Sequence, residues 1–355
     1  MNYRFLKFLS PLLSVVAIFV SLLAGGAWTY FSVFYAFFLI PFMELFMNGT
    51  EENMNKQEEE LAKKDIGYDI VIWLIVPVQL AIMALFFYQI SQPNLLWHET
   101  LGMILSFGLS CGVFGINVAH ELGHRNTKHE QVMAKILLWT TQYMHFFIEH
   151  NRGHHKNVST DNDPASSRYG ETLYAFYFRT ITGSWLSAWH LERERLAKSN
   201  TSFWSLKNEM LVYQIIQVST LVIIGVAFGL KILLLYMAAA LTGALMLETV
   251  NYIEHYGLRR KKVDDAYYEK VMPIHSWNSN HPIGRLMLFE LTRHSDHHYM
   301  PSRKYQILRH FDQSPQMPTG YPGMMVLATI PPLWFKVMHK QIEKYKATQL
   351  GEALA

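Results

Sequence analysis

A single cysteine, Cys111, is the only thiol in the chain. Its isolation excludes an intramolecular disulfide and any four-cysteine iron or zinc module fused to the protein. Charge is also scarce, with Asp, Glu, Lys and Arg making up only 17% of 355 residues while half are hydrophobic. That balance is too apolar for an ordinary soluble domain of this length and suits a polytopic membrane protein. No charged residue occurs between Lys7 and Glu44, Asp69 and Glu99, Glu99 and Glu121, or Glu209 and Lys231. The small net charge of +3 carries little information; its distribution carries more.

A helix needs about 20 apolar residues to cross the hydrocarbon core. The first run holds two such helices, with Gly25-Gly26 as the turn between them. The reading is six spans in three hairpins, at about 8–24, 28–46, 70–89, 101–119, 210–228 and 232–250. The outer loops near Gly25, Pro93 and Gly229 contain only Lys231 among Lys and Arg. The positive-inside rule therefore puts both termini on the cytoplasmic side. The first 27 residues also read as a possible signal peptide, but its cleavage would remove a span and break the even topology.

Between and after these runs lie the polar segments. Residues 48–68 are charged and read as a solvated helical link. Residues 132–148 read as a helix dipping in from the cytoplasmic face, because the uncharged stretch is short for a crossing. Residues 171–198, with Tyr174, Tyr177, Phe178, Trp185 and Trp189, read as a helix lying at the membrane interface. The expected fold is an all-α integral membrane protein with a cytoplasmic cap (residues 120–208 and 251–355), the whole of 1–355 forming one domain.

What is abundant is histidine, and nine of the 17 fall in tight groups. They read His120-Glu121-Leu122-Gly123-His124, Glu149-His150-Asn151-Arg152-Gly153-His154-His155, Glu254-His255 and Arg293-His294-Ser295-Asp296-His297-His298. Imidazole is the commonest biological metal ligand, and i, i+3 and i+4 spacings bring rings to one helix face. Alone, the first group matches the zinc-protease signature H-E-x-x-H. A zinc hydrolase needs three protein ligands and an open position, whereas nine imidazoles exceed one octahedron and imply two ions. Neutral nitrogen ligands suit iron, copper, nickel or zinc, and a redox metal is favoured beside lipid. Glu121, Glu149, Glu254 and Asp296 each adjoin a histidine of a group and could offset the metal charge or orient imidazole N–H groups. His145 reads as a supporting residue, and His275 and His281 read either as lining the site or an electron route or as capped loop histidines.

These motifs, with Asn251-Tyr-Ile-Glu-His-Tyr-Gly257, His275-Ser-Trp-Asn-Ser-Asn-His281 and Pro318-Thr-Gly-Tyr-Pro-Gly323, closely resemble the bacterial membrane alkane 1-monooxygenases. The Asn251 block sets these apart from fatty-acyl desaturases and hydroxylases, which share the general histidine theme. The resemblance implies a non-haem di-iron enzyme of the inner membrane that inserts one atom of O₂ into the terminal C–H bond of an n-alkane. It implies nine ligands: His120, His124, His150, His154, His155, His255, His294, His297 and His298. It implies electrons from rubredoxin and its reductase, with Arg259, Arg260, Lys261 and Lys262 a candidate docking patch; anchoring to anionic lipid is the competing role for these cations. It also implies that Ala36, on the second span, leaves a substrate channel open to longer alkanes. The nearest alternative is a related di-iron oxygenase acting on alkyl-aromatic methyl groups or fatty acyl chains. An intramembrane zinc protease and a non-catalytic metal-binding protein are further alternatives.

Overall fold

The computed structural model describes residues 3–264 and 267–354, and among these residues the chain is helical, with isolated bridges but no strand. Five helices are long and apolar enough to cross a membrane: α1 (Arg4–Leu23), α2 (Gly26–Glu44), α4 (Ile66–Ile90), α5 (Trp97–Gly123) and α9 (Glu209–His255). The short α3 (Lys56–Lys64) precedes α4. Helix α9 runs 47 residues but is broken at Gly229, whose φ of 83° and ψ of 166° lie outside the helical region. A side chain there would be strained, so glycine permits the turn between two apolar halves. The stretches read from the sequence as the fifth and sixth spans fall in these two halves.

Polar side chains inside the bundle find partners in one another. Gln79 on α4 accepts a hydrogen bond from Ser110 Oγ at 2.5 Å and donates to Thr140 Oγ1 at 3.2 Å. Ser32 Oγ bonds Ser106 Oγ at 2.8 Å, linking α2 to α5. With no water in a hydrocarbon core, such pairs hold helices in register and satisfy one another's polar groups.

Two expectations need correction. Residues 132–148 are not one helix: α6 (Lys128–Thr140) ends and a second segment begins at Phe146. Gln142 between them has φ of 54°, and its amide is held by Trp139 O and Tyr236 OH. The link before α4 is not wholly solvated either. Its helix is stabilised by an Asn55–Glu58 capping box, but Glu59 on α3 is buried and takes a bidentate bond from Arg309. The link is thereby fastened to the polar cap.

The cap is built from α7 (residues 146–157), α8 (Leu173–Lys198), α10 (Pro282–Met287), α11 (His294–Tyr299), α12 (Tyr321–Ala328) and α13 (Pro331–Leu354). Helix α8 buries Phe176, Thr180, Ser184 and Ala188 and exposes Tyr174, Phe178, Trp185 and Leu186. An apolar, aromatic outer face of this kind suits the headgroup boundary of a bilayer.

Candidate metal centre

Helix α5 continues past its apolar run, so His120 and His124 share one face near its end. The polar turn of α7 is a π-helical stretch over His150–His154, an arrangement frequent at functional sites because the extra residue re-aims side chains. A Cβ at Gly153 would lie 2.6 Å from Glu149 Oε1, so a larger residue there would displace that carboxyl group. Helix α11 contributes His294, His297 and His298, and the last turn of α9 contributes His255.

All nine of these histidines converge, and they divide into two groups. His120, His124, His150, His155 and His297 form one; His154, His255, His294 and His298 form the other. Within each group the candidate ligand atoms lie within 4.8 Å of one another. In the first, Nε2 of His297 is 2.6 Å from that of His120 and 3.1 Å from that of His155. In the second, Nε2 of His154 is 3.2 Å from that of His298, and Nε2 of His294 is 3.3 Å from that of His255.

The donor set fits a metal. Several imidazole nitrogens aimed at one point cannot all be satisfied by protons on each other, whereas a cation satisfies them together. Burial, reinforced by neighbouring imidazoles, holds His150, His155, His294, His297 and His298 well below the usual histidine range. They are therefore neutral and able to ligate.

The carboxylates singled out in the sequence have different environments. Glu254 touches the second group directly: Oε2 is 3.1 Å from His294 Nε2, while Oε1 accepts from Tyr321 OH at 2.8 Å. Glu149 is buried, with Ser187 Oγ at 3.5 Å, and burial together with nearby Asp163 and Glu248 raises its pKa well above the carboxylate range. Glu121 is paired with Arg125 at 2.6 Å, and Arg125 also reaches Asp69. Asp296 takes both oxygens to Arg303 and accepts from Arg309 N. These last two carboxylates are buried and neutralised by arginine, a bracing role for the loops around the histidines.

Asp163 was not read from the sequence as part of the site. Its Oδ2 lies 2.9 Å from His154 Nδ1 and also accepts from Ser166 Oγ. Burial alone would raise its pKa, but His154 and Ser166 bring it below the ordinary value. A carboxylate on the distal nitrogen fixes the imidazole's tautomer and orientation. The only signal was an Asp-Asn-Asp-Pro turn eight residues beyond His155. Glu248, a buried carboxylate in the second half of α9, is held by Tyr143, Thr180 and Asn251. His145 joins neither group, and its buried Nε2 has no partner.

An apolar cavity reaches the centre from within the bundle. Ala36, Phe37, Ile40, Val113, Val250 and Met325 line it, and His120, His150, His294 and Glu254 close its polar end. Ala36 lies in the π-helical turn Tyr35–Leu39 of α2. The candidate docking cations are less free than expected. Arg259 bonds Ser167 O and Leu258 O, and Arg260 bonds Glu269 O, Lys156 O and Val158 O, so both fasten their loop to residues 156–167. Lys261 and Lys262 are exposed.

The sequence profile of the fatty acid desaturase family matches residues 94–328. The alkane 1-monooxygenase of Ectopseudomonas oleovorans is 41% identical over 304 residues, covering 85% of this chain and 76% of that protein. The alkane 1-monooxygenase of Pseudomonas putida is 40% identical over 314 residues, 88% of this chain and 78% of its own. The chain belongs to the fatty acid desaturase family and, within it, to the alkane 1-monooxygenases. A more distant relative is the xylene/toluene monooxygenase hydroxylase component of Pseudomonas putida, 28% identical over 275 residues, 77% of this chain and 73% of that one. Membership of this family agrees with a multi-pass membrane protein carrying a histidine-rich iron centre and removes the zinc-protease reading of H-E-x-x-H.

Proposed function

We propose that this chain is an alkane 1-monooxygenase that converts n-alkanes to 1-alkanols at a di-iron centre, with the first iron held in the five-histidine group and the second in the four-histidine group. The observation that carries this is the apolar cavity of α2, α5, α9 and α12 that ends on His120, His150 and His294. Two bound irons would supply the O₂ chemistry: one oxygen atom enters the C–H bond and the other leaves as water, with two electrons from outside.

The chain's own residues supply position and exclusion. A substrate without a polar handle is concentrated in the bilayer, and the apolar walls accept it without a soluble carrier. The walls guide a terminal methyl toward the imidazoles and keep water from the reacting bond. Ala36 leaves room for a long chain beside Phe37. Asp163 holds His154, and the Tyr321–Glu254 pair holds His294 or contributes an oxygen ligand.

In this reading residues 1–355 form one domain of six spans, the two halves of α9 counted separately. It sits in the bacterial inner membrane with its termini and centre on the cytoplasmic side. Electrons come from rubredoxin and its reductase, docking on Lys261 and Lys262, since Arg259 and Arg260 are engaged by backbone carbonyls. The test is metal analysis of purified protein followed by turnover of octane, hexadecane and xylene with rubredoxin and its reductase. Two irons per chain and a primary alcohol from an n-alkane support the reading. Product from xylene alone would move the substrate to alkyl-aromatic methyl groups, and no oxygen-dependent product would refute it.

A further inference from the structure

The residue after His255 begins an aromatic path that the hydroxylation reaction does not use. Tyr256 is fully buried. Its hydroxyl accepts from Gly170 N at 2.9 Å and is 2.9 Å from His339 Nε2, so the proton it can give points at the imidazole of α13. The Tyr256 and His339 rings are nearly parallel, 12° apart, with centroids at 6.1 Å. Tyr169 stacks on His339 at 4.1 Å, beside Tyr256 rather than beyond the imidazole, and is 55% exposed. The Tyr169 and Tyr256 rings are 6.3 Å apart. One covalent step and two ring contacts therefore connect a candidate metal ligand to solvent.

Most aromatic residues nearby lack one part of this arrangement. Tyr252 is as deeply buried, with its ring 5.3 Å from Tyr256, but its hydroxyl donates to Glu171 O, a carbonyl that cannot keep a proton. Trp334 packs 5.2 Å from Tyr256, and its indole nitrogen is buried with no partner. A phenol facing an imidazole can lose an electron and pass its proton to that base in the same event, which lowers the barrier to oxidation; Tyr321 has such a base in Glu254, but both are buried at the centre itself.

We propose that Tyr256, His339 and Tyr169 form a discharge path that drains oxidising equivalents from the metal centre when O₂ has reacted and no C–H bond is within reach. This rests on the oxygenase reading above. Tyr256 gives one electron to the centre and its phenolic proton to His339. Tyr169 then gives an electron to Tyr256, which recovers its proton from His339, while the phenolic proton of Tyr169 leaves to water. A low-molecular-weight thiol at the surface restores Tyr169 by hydrogen-atom transfer, and the thiyl radicals pair as disulfide. The path spares the ligand histidines, which lie next to the oxidant and are easily oxidised.

The experiment compares the iron-loaded full chain with Tyr256→Phe, His339→Phe and Tyr252→Phe in detergent, reduced and exposed to O₂ without alkane. Freeze-quench electron paramagnetic resonance reads the radical, and peptide mass spectrometry reads oxygen added to His255 and the other ligands. The expected result is a tyrosyl radical in the parent and in Tyr252→Phe that is lost in Tyr256→Phe and weakened in His339→Phe. Tyr256→Phe keeps the ring and its packing, so its initial alkane hydroxylation rate should match the parent. Its total turnovers before inactivation should fall several-fold and its ligand oxidation rise by a similar factor. Equal lifetimes and equal ligand oxidation in the parent and Tyr256→Phe, with hydroxylation intact, would overturn the path alone. A parent protein that consumes no O₂ would overturn the oxygenase reading and the path with it.

Discussion

The two histidine groups differ in ways that matter for chemistry. In the four-histidine group every imidazole is buried and two carboxylates touch it, Asp163 on His154 and Glu254 on His294. In the five-histidine group His124 and His155 are partly exposed, and no carboxylate contact to an imidazole is seen among the described residues. A carboxylate behind or beside an imidazole makes it a better donor and offsets the metal's charge. Burial slows ligand exchange with water and chelators. In the proposed di-iron reading, one position would be well compensated and enclosed and the other more open and purely imidazole. The contrast suggests that the enclosed position anchors the centre and the open one exchanges more freely.

The sharpest way to break this contrast is to remove a ligand from each group. His154→Ala should leave well under one iron per chain and abolish hydroxylation, because it removes a ligand and the partner of Asp163 from the position that anchors the centre. His124→Ala should cost one metal while leaving the other in place, measured by metal content after gel filtration. If the two variants lose metal identically, the groups are not distinct.

Next in size is the support around them. Asp163→Asn keeps the shape but weakens the hold on His154, and such changes usually cost about 10–100-fold in metal affinity or activity. Arg303→Ala would strand Asp296, whose side chain is fully buried, and should destabilise the cap by about 3–5 kcal/mol in thermal or denaturant unfolding. A smaller effect is expected at the other end of the cavity, where Ala36→Trp should shorten the accepted alkanes without changing metal content. An unchanged product profile would remove Ala36 from the channel. Reversing Lys261 and Lys262 to glutamate should raise the KM for the donor by severalfold and leave turnover at saturating donor intact.

How far the sequence revealed this arrangement depends on which contacts are local. The apolar runs and the turn at Gly229 are local properties, and they match the observed helices within a few residues. Which ring joins which group is not local. His154 and His155 are adjacent yet belong to different groups, as do His297 and His298, because consecutive residues on a helix point about 100° apart. Spacing alone announces that such rings are near one another, but partners 177 residues apart, such as His120 and His297, are brought together only by the packing of α5 against the cap. Asp163 was invisible for the same reason: it comes from a turn, with no periodicity to mark the direction of its side chain. The break at Gln142 was missed because an apolar run carries no sign of a positive φ until the neighbours that hold it are known.

The most direct test of the central claim is Mössbauer spectroscopy of the reduced protein loaded with isotopically enriched iron, in the presence of alkane and before O₂ is admitted. Two inequivalent iron environments should appear as two quadrupole doublets of equal area, and both should change when O₂ is admitted and 1-alkanol forms. A single doublet at one iron per chain, or iron that stays ferrous while alcohol is absent, would contradict the account.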